Sequence, residues 1–97
     1  MPQVARTVEL KSRASSADAV AEWLLGAMRQ SAEPPGLKAM FAGKDAADER
    51  RFVLVSIFTD SQAMAANTAG LQTALDAIRP ALSGDPLIQW YELLAGD

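Results

Sequence analysis

Apolar residues along this chain recur in two rhythms, one of period two and one of helical period. Between Val4 and Lys11, Val8 and Leu10 fall on one side and Thr7 and Glu9 on the other, the alternation of an extended strand. Arg6 is the odd member of the apolar side. Over residues 16–30 the spacing lengthens: Val20, Ala21, Leu24, Ala27 and Met28 recur at helical intervals behind Ser15 and Asp18, which form a capping-box pattern. Glu33-Pro34-Pro35-Gly36 ends that helix, residues 37–43 return to strand character, and the polar stretch 44–50 is a loop. Residues 51–59 form a third strand that is apolar on both sides, with Phe52, Leu54 and Phe58 on one and Val53, Val55 and Ile57 on the other. Thr59, Asp60, Ser61 and Gln62 supply cap residues for a second helix through Ala63, Met64 and Ala66. The run Asn67-Thr68-Ala69-Gly70 is expected to bend or interrupt it. Leu71, Ala74, Leu75, Ile78 and Leu82 resume the helical pattern until Pro80 and Ser83-Gly84-Asp85-Pro86 stop it, and residues 87–94 make a last strand.

The order strand, helix, strand, strand, helix, strand predicts an α+β fold. It is the ferredoxin-like βαββαβ arrangement, with an antiparallel sheet and both helices on one face, in a single domain over residues 1–97. An antiparallel sheet ordinarily leaves its uncovered face polar, yet the third strand does not, and the last strand also carries large apolar residues on both sides. Left open, that face would exceed what soluble monomers tolerate. Two sheets facing each other in a homodimer solve the problem and close a dimeric α/β barrel around an internal cavity.

Composition narrows the function classes. The chain has 97 residues, 49% of them hydrophobic, and a net charge of −3, without the basic footprint that nucleic acid or anionic membrane demands. Neither partner is expected. No apolar run approaches the roughly 20 residues of a membrane span, and the start lacks a charged region followed by an apolar one, so a cytoplasmic protein is expected. The absence of Cys excludes disulfides and thiolate chemistry, and the absence of His removes the commonest general base near neutral pH and the commonest transition-metal ligand.

Three stretches resemble the antibiotic biosynthesis monooxygenase family of dimeric α/β barrels: Pro35-Gly36-Leu37 opening the second strand, Phe52 to Asp60 running from strand into helix, and Ser61 to Asn67 continuing it. The resemblance covers most of the chain. It implies a homodimer through the open sheet face, and a hydrophobic or aromatic small molecule as substrate. It also implies oxygenation with no metal, flavin or other cofactor. Such chemistry needs a substrate that can itself give an electron to oxygen, a dry pocket and hydrogen bonds to a developing oxyanion. Members often carry Trp where this chain has Phe58, an acidic residue near Ser56, and His near Asn67 and Gln72. Asn and Tyr stand in some members at positions matching Leu54 and Met64. All are altered here, and the haem-degrading branch relies on a His that this chain lacks.

By the same resemblance Phe52, Leu54, Ser56 and Phe58 are expected on the cavity and partner side, leaving Val53, Val55 and Ile57 to meet the helices. Met64 and Trp90 join the expected cavity lining. Asn67 and Gln72 are candidates to donate to a substrate oxygen or, alternatively, to satisfy an interrupted helix; Tyr91 is a candidate acid or hydrogen-bond donor. Trp90 and Tyr91 point to opposite faces, so only one can share a given cavity. Packing in the core or a dimer interface is the alternative duty of each. Arg6 would be expensive to bury alone, and so lies at a sheet end, pairs with a carboxylate, or meets an anionic ligand. Glu9 and Glu92 are the strand carboxylates and the remaining conventional bases, while Asp45, Asp48 and Glu49 read as a solvated loop rather than a metal site. The leading expectation is a small oxygenase-like enzyme acting on an aromatic or quinone-forming compound. A non-catalytic binding or structural dimer is the alternative, with an isomerase or lyase on the same scaffold as a third.

Overall fold

The computed structural model describes residues 2–30 and 35–94. In chain order these form β1 (Val4–Lys11), α1 (Ala17–Gln30), β2 (Leu37–Lys44), β3 (Arg51–Phe58), α2 (Ser61–Ile78), a 3-10 turn (Arg79–Ala81) and β4 (Leu87–Glu92). The strands pair antiparallel in the order β2-β3-β1-β4, which is the ferredoxin-like βαββαβ arrangement expected from the sequence. Of the expected stop after α1, Glu33 and Pro34 lie outside the described residues, and Pro35 and Gly36 turn into β2. Among the described residues, no helix is long and apolar enough to cross a membrane.

The register of β1 against β3 decides which side of the sheet the helices cover. Val8 lies opposite Leu54 and Leu10 opposite Phe52, while Thr7 and Glu9 lie opposite Val55 and Val53. Residues directly opposite share a face, so the alternation of β1 imposes its polarity on β3. Phe52, Leu54, Ser56 and Phe58 therefore point toward the helices and are buried, and Val53, Val55 and Ile57 are half-buried on the open side. This reverses the facing expected for β3. The core gathers Val8, Leu10, Phe52 and Leu54 from the sheet, Val20 and Leu24 from α1, and Leu71, Leu75 and Ile78 from α2, with Trp23 at its margin.

Both helices begin where their backbones find acceptors. The Val20 N–H donates to the Ser16 carbonyl at 3.0 Å, so Ser16 rather than Ser15 holds the position before α1. Asp60 caps α2, its Oδ1 accepting from the Ala63 N–H at 2.9 Å. The expected interruption at residues 67–70 does not occur, and α2 runs unbroken through 18 residues. One glycine within a helix is a tolerable weakness rather than a stop, and the Thr68 and Thr73 hydroxyls turn back onto the Met64 and Ala69 carbonyls.

A Cβ at Gly70 would meet nothing within 4 Å. Gly70→Ala should raise the unfolding free energy by about 0.5–1 kcal/mol, and Asp60→Ala should lower it by about 1 kcal/mol. Urea denaturation of the two variants measures both.

Candidate functional site

On the helix-facing side of the sheet, the register aligns one residue from each strand in a row: Met40 on β2, Ser56 on β3, Arg6 on β1 and Trp90 on β4. The rows on either side are largely apolar. Ala42, Leu54, Val8 and Ile88 lie toward the core, and Phe58 and Val4 lie on the far side. Arg6 and Ser56 are thus a polar island within an apolar layer, 2% and 1% exposed.

Helix α2 roofs this island unevenly. Its later half sends Leu71, Leu75 and Ile78 into the core, whereas its first half has no buried side chain and offers the half-buried Met64 and Asn67. The Asn67 Oδ1 accepts a hydrogen bond from Arg6 Nη2 at 2.8 Å. The guanidinium also sits 5.2 Å from the centre of the Phe58 ring, within the range of a cation–π contact.

These contacts leave the charge undersupplied. Arg6 Nε and Nη1 and the Ser56 Oγ are buried without a hydrogen-bond partner, and among the described residues Arg6 forms no ion pair. Burial lowers the Arg6 pKa from its ordinary value, but a guanidinium remains protonated at neutral pH. Each buried donor left unmatched costs about 1–3 kcal/mol, and more when the group is charged. Of the three fates expected for Arg6, a solvated sheet end is contradicted by its position mid-row beneath α2, and among the described residues no carboxylate pairs with it.

Beside the island lies a pocket of about 410 Å³, bounded by Pro35 and Gly36 before β2 and by Asp60, Ala63, Ala66 and Asn67 on α2. Gly36 has φ +86°, and a Cβ there would approach the Ala63 Cβ to 2.5 Å. Only glycine allows this turn to lie against the helix. The Gly36 carbonyl accepts from the Thr59 N–H at 2.8 Å, tying the turn to the end of β3. Asn67 belongs to both features, since its side chain meets Arg6 and also lines the pocket.

The structure gathers some of the candidate residues and separates others. Ser56, Phe58, Asn67 and Trp90 surround Arg6 or adjoin it in the row, with Trp90 on the outer strand 55% exposed, while Met64 is half-buried on the first half of α2. Phe52 and Leu54 lie in the core cluster and are packing residues. Gln72 is on the exposed side of α2, and Tyr91 is on the open face opposite Ala5, its hydroxyl donating to the Gln89 Oε1 at 2.7 Å. Asn67, Gln72 and Tyr91 therefore do not converge. Glu9 and Glu92 are exposed on their strands. Asp45 and Asp48 are engaged with backbone N–H groups of their own loop, and the bond from the Arg50 N–H holds the Asp48 carboxyl below its ordinary pKa. Met40 and the Gly36 turn were missed as site elements; the pairing of β2 with β3 is the signal that locates Met40.

No protein-family model and no curated protein matches this sequence. Solved structures do match in three dimensions. A protein of unknown function from Nitrosomonas europaea superposes with a TM-score of 0.88 at 29% identity, covering 100% of this chain and 94% of the other. A candidate antibiotic biosynthesis monooxygenase from Deinococcus radiodurans gives 0.83 at 22% identity, covering 97% and 93%. SnoaB, a cofactor-independent oxygenase from Streptomyces nogalater, gives 0.81 at 12% identity, covering 99% and 97%. The chain is therefore antibiotic biosynthesis monooxygenase-like in fold.

A buried charge without a carboxylate should be dispensable for folding. Arg6→Met should leave stability unchanged or raise it by about 1–4 kcal/mol, while Asn67→Ala, which removes the one side-chain acceptor, should lower it by about 1–3 kcal/mol. In the Arg6→Met background the Asn67→Ala loss should largely vanish. Denaturant unfolding of the double-mutant cycle reads the coupling, and a large loss from Arg6→Met alone would assign Arg6 to structure.

Proposed function

We propose that this protein is a small homodimeric monooxygenase-like enzyme that oxidises an aromatic or quinone-forming compound without metal or flavin. The observation that carries this reading is the pair of buried Arg6 and Ser56 with half-buried Asn67, beneath the half of α2 that has no buried side chain and adjoining the pocket at Gly36. The likeness in fold to candidate monooxygenases and to a cofactor-independent oxygenase supports it. In such a reaction the substrate supplies the electrons. For an anthrone-type ring, oxidation of the CH2 group to a carbonyl by O2 places one oxygen atom in the product and the other in water, with both methylene hydrogens leaving in that water. The protein contributes binding, hydrogen bonds to the substrate oxygen and exclusion of bulk water.

The open sheet face supports the dimer. Val53, Val55 and Ile57 lie there with Phe41, Leu87 and Tyr91, the last three 58%, 49% and 48% exposed, and no helix covers them. A second copy of the same face is the self-complementary solution for an isologous pair. Val55 sits centrally, between Thr7 and Phe41.

A second reading, a non-catalytic binding dimer, is favoured by one observation: no carboxylate pairs with the cluster among the described residues, and Arg6 is no base. Oxygen consumption with a panel of anthrone and hydroquinone compounds separates the two. Uptake that depends on the protein and yields the quinone supports the enzyme; binding across the panel without uptake favours the binder. Val55→Asp should convert the dimer to monomer in light scattering at micromolar concentration. A monomeric wild-type protein would remove the proposed assembly.

A further inference from the structure

The unmatched donors of the polar row define what kind of ligand group belongs there. Arg6 presents Nε and Nη1 with no acceptor, although the side chain is 2% exposed, and the Ser56 Oγ on the neighbouring strand is equally without a partner. Guanidinium is donor-only, whereas a hydroxyl can turn to donate or accept. Two side chains on adjacent strands therefore offer positive charge and hydrogen-bond donors at one place, with no carboxylate among the described residues to consume them. Their surroundings are apolar or aromatic: Phe58 against the guanidinium, and Met40 and Trp90 at the two ends of the row. Asn67 leads from the pocket to this point.

We infer that Arg6 and Ser56 form an oxyanion-binding site that holds a ligand through an ionised oxygen, phenolate or carboxylate, attached to a flat apolar body. An anion cancels the stranded charge and gives the orphaned donors acceptors in one event, which neither a neutral alcohol nor a cation does. Charge-assisted bonds in a water-poor layer are the strong ones, so ionisation of the ligand, rather than the area of its ring, sets selectivity. The inference rests on the functional reading above for the place where substrate sits, but not on turnover. Arg6 thus becomes a specificity-determining residue, and a bound phenol is held as its anion at a pH where it is mostly protonated in solution.

The test uses the full chain and 4-nitrophenol, whose anion absorbs visible light while its neutral form does not. The neutral isostere is 4-nitroanisole, and 4-nitrobenzoate is the carboxylate counterpart. At about one pH unit below the phenol's own pKa, titration with wild-type protein should develop the phenolate band, and 4-nitroanisole should fail to reverse it. Displacement by 4-nitrobenzoate extends the site to carboxylates, and failure to displace restricts it to phenolates. Arg6→Met should weaken anion binding roughly tenfold to a hundredfold, and Ser56→Ala roughly threefold to tenfold. The proposal is overturned if no phenolate band develops, if the anisole competes as well as the anion, or if Arg6→Met binds undiminished. The comparison of anion with anisole needs only wild-type protein and so survives a variant that fails to fold. None of these probes reports on oxygenation. Anion binding without oxygen uptake would leave this site in place and remove the enzyme, while uptake without anion binding would do the reverse.

Discussion

The antiparallel register of β1 against β3 is the constraint on which the rest of the molecule depends. Opposing Val8 to Leu54 and Leu10 to Phe52 commits both strands to one buried side, because a slip of one residue would turn every side chain of a strand to the other face. Since β3 is apolar on both sides, its own sequence sets no preference. The polarity of β1 does, and it places Thr7 and Glu9 on the outside with Val53 and Val55. The same pairing brings Arg6 and Ser56 together, so the feature that organises the core also creates a polar break within it.

That break coincides with a change along α2. Past Leu71 the helix behaves as core, sealed by Leu75 and Ile78. Before it the helix offers Met64 and Asn67 and stands beside the Gly36 turn, where close approach of backbone to helix excludes any larger residue. Burial of the helix side chains and polar satisfaction fall off at the same place. A charged group retained there against its desolvation is understandable if stability is not what retains it, since apolar residues of similar volume often stabilise buried positions better than ions do.

Much of this was legible in the sequence, for reasons that also explain the misreadings. Element order followed from alternation in residues 4–11 and helical spacing around Val20 and Leu24, both unambiguous signals. The facing of β3 was not legible from that strand alone; it required the pairing of Val8 with Leu54. Asn67 to Gly70 looked like a break because small and polar residues there lower helix propensity, yet the core contacts of Leu71, Leu75 and Ile78 outweigh that deficit. Within the site, Ser56, Phe58, Asn67 and Trp90 could each be picked out, but what gathers them is Arg6, seen in the sequence only as an exception. Gln72 and Tyr91 fall away by geometry: Gln72 follows the buried Leu71 by a rotation of about 100°, and Tyr91 has the opposite pleat parity to Trp90.

Arg6 Nε–H lacks an acceptor in the free protein and, on the inference drawn above, acquires one from an ionised ligand. Nitrogen-15 NMR of the arginine side chains, with Arg6→Lys identifying the resonance by its loss, observes this bond directly. The Arg6 Nε–H signal should shift downfield and exchange more slowly with water on titration with 4-nitrophenolate, while the other arginine signals stay in place. A signal already downfield and slowly exchanging in the free protein, and unmoved by the anion, would show that Arg6 has a partner within the fold and no role in holding an anion.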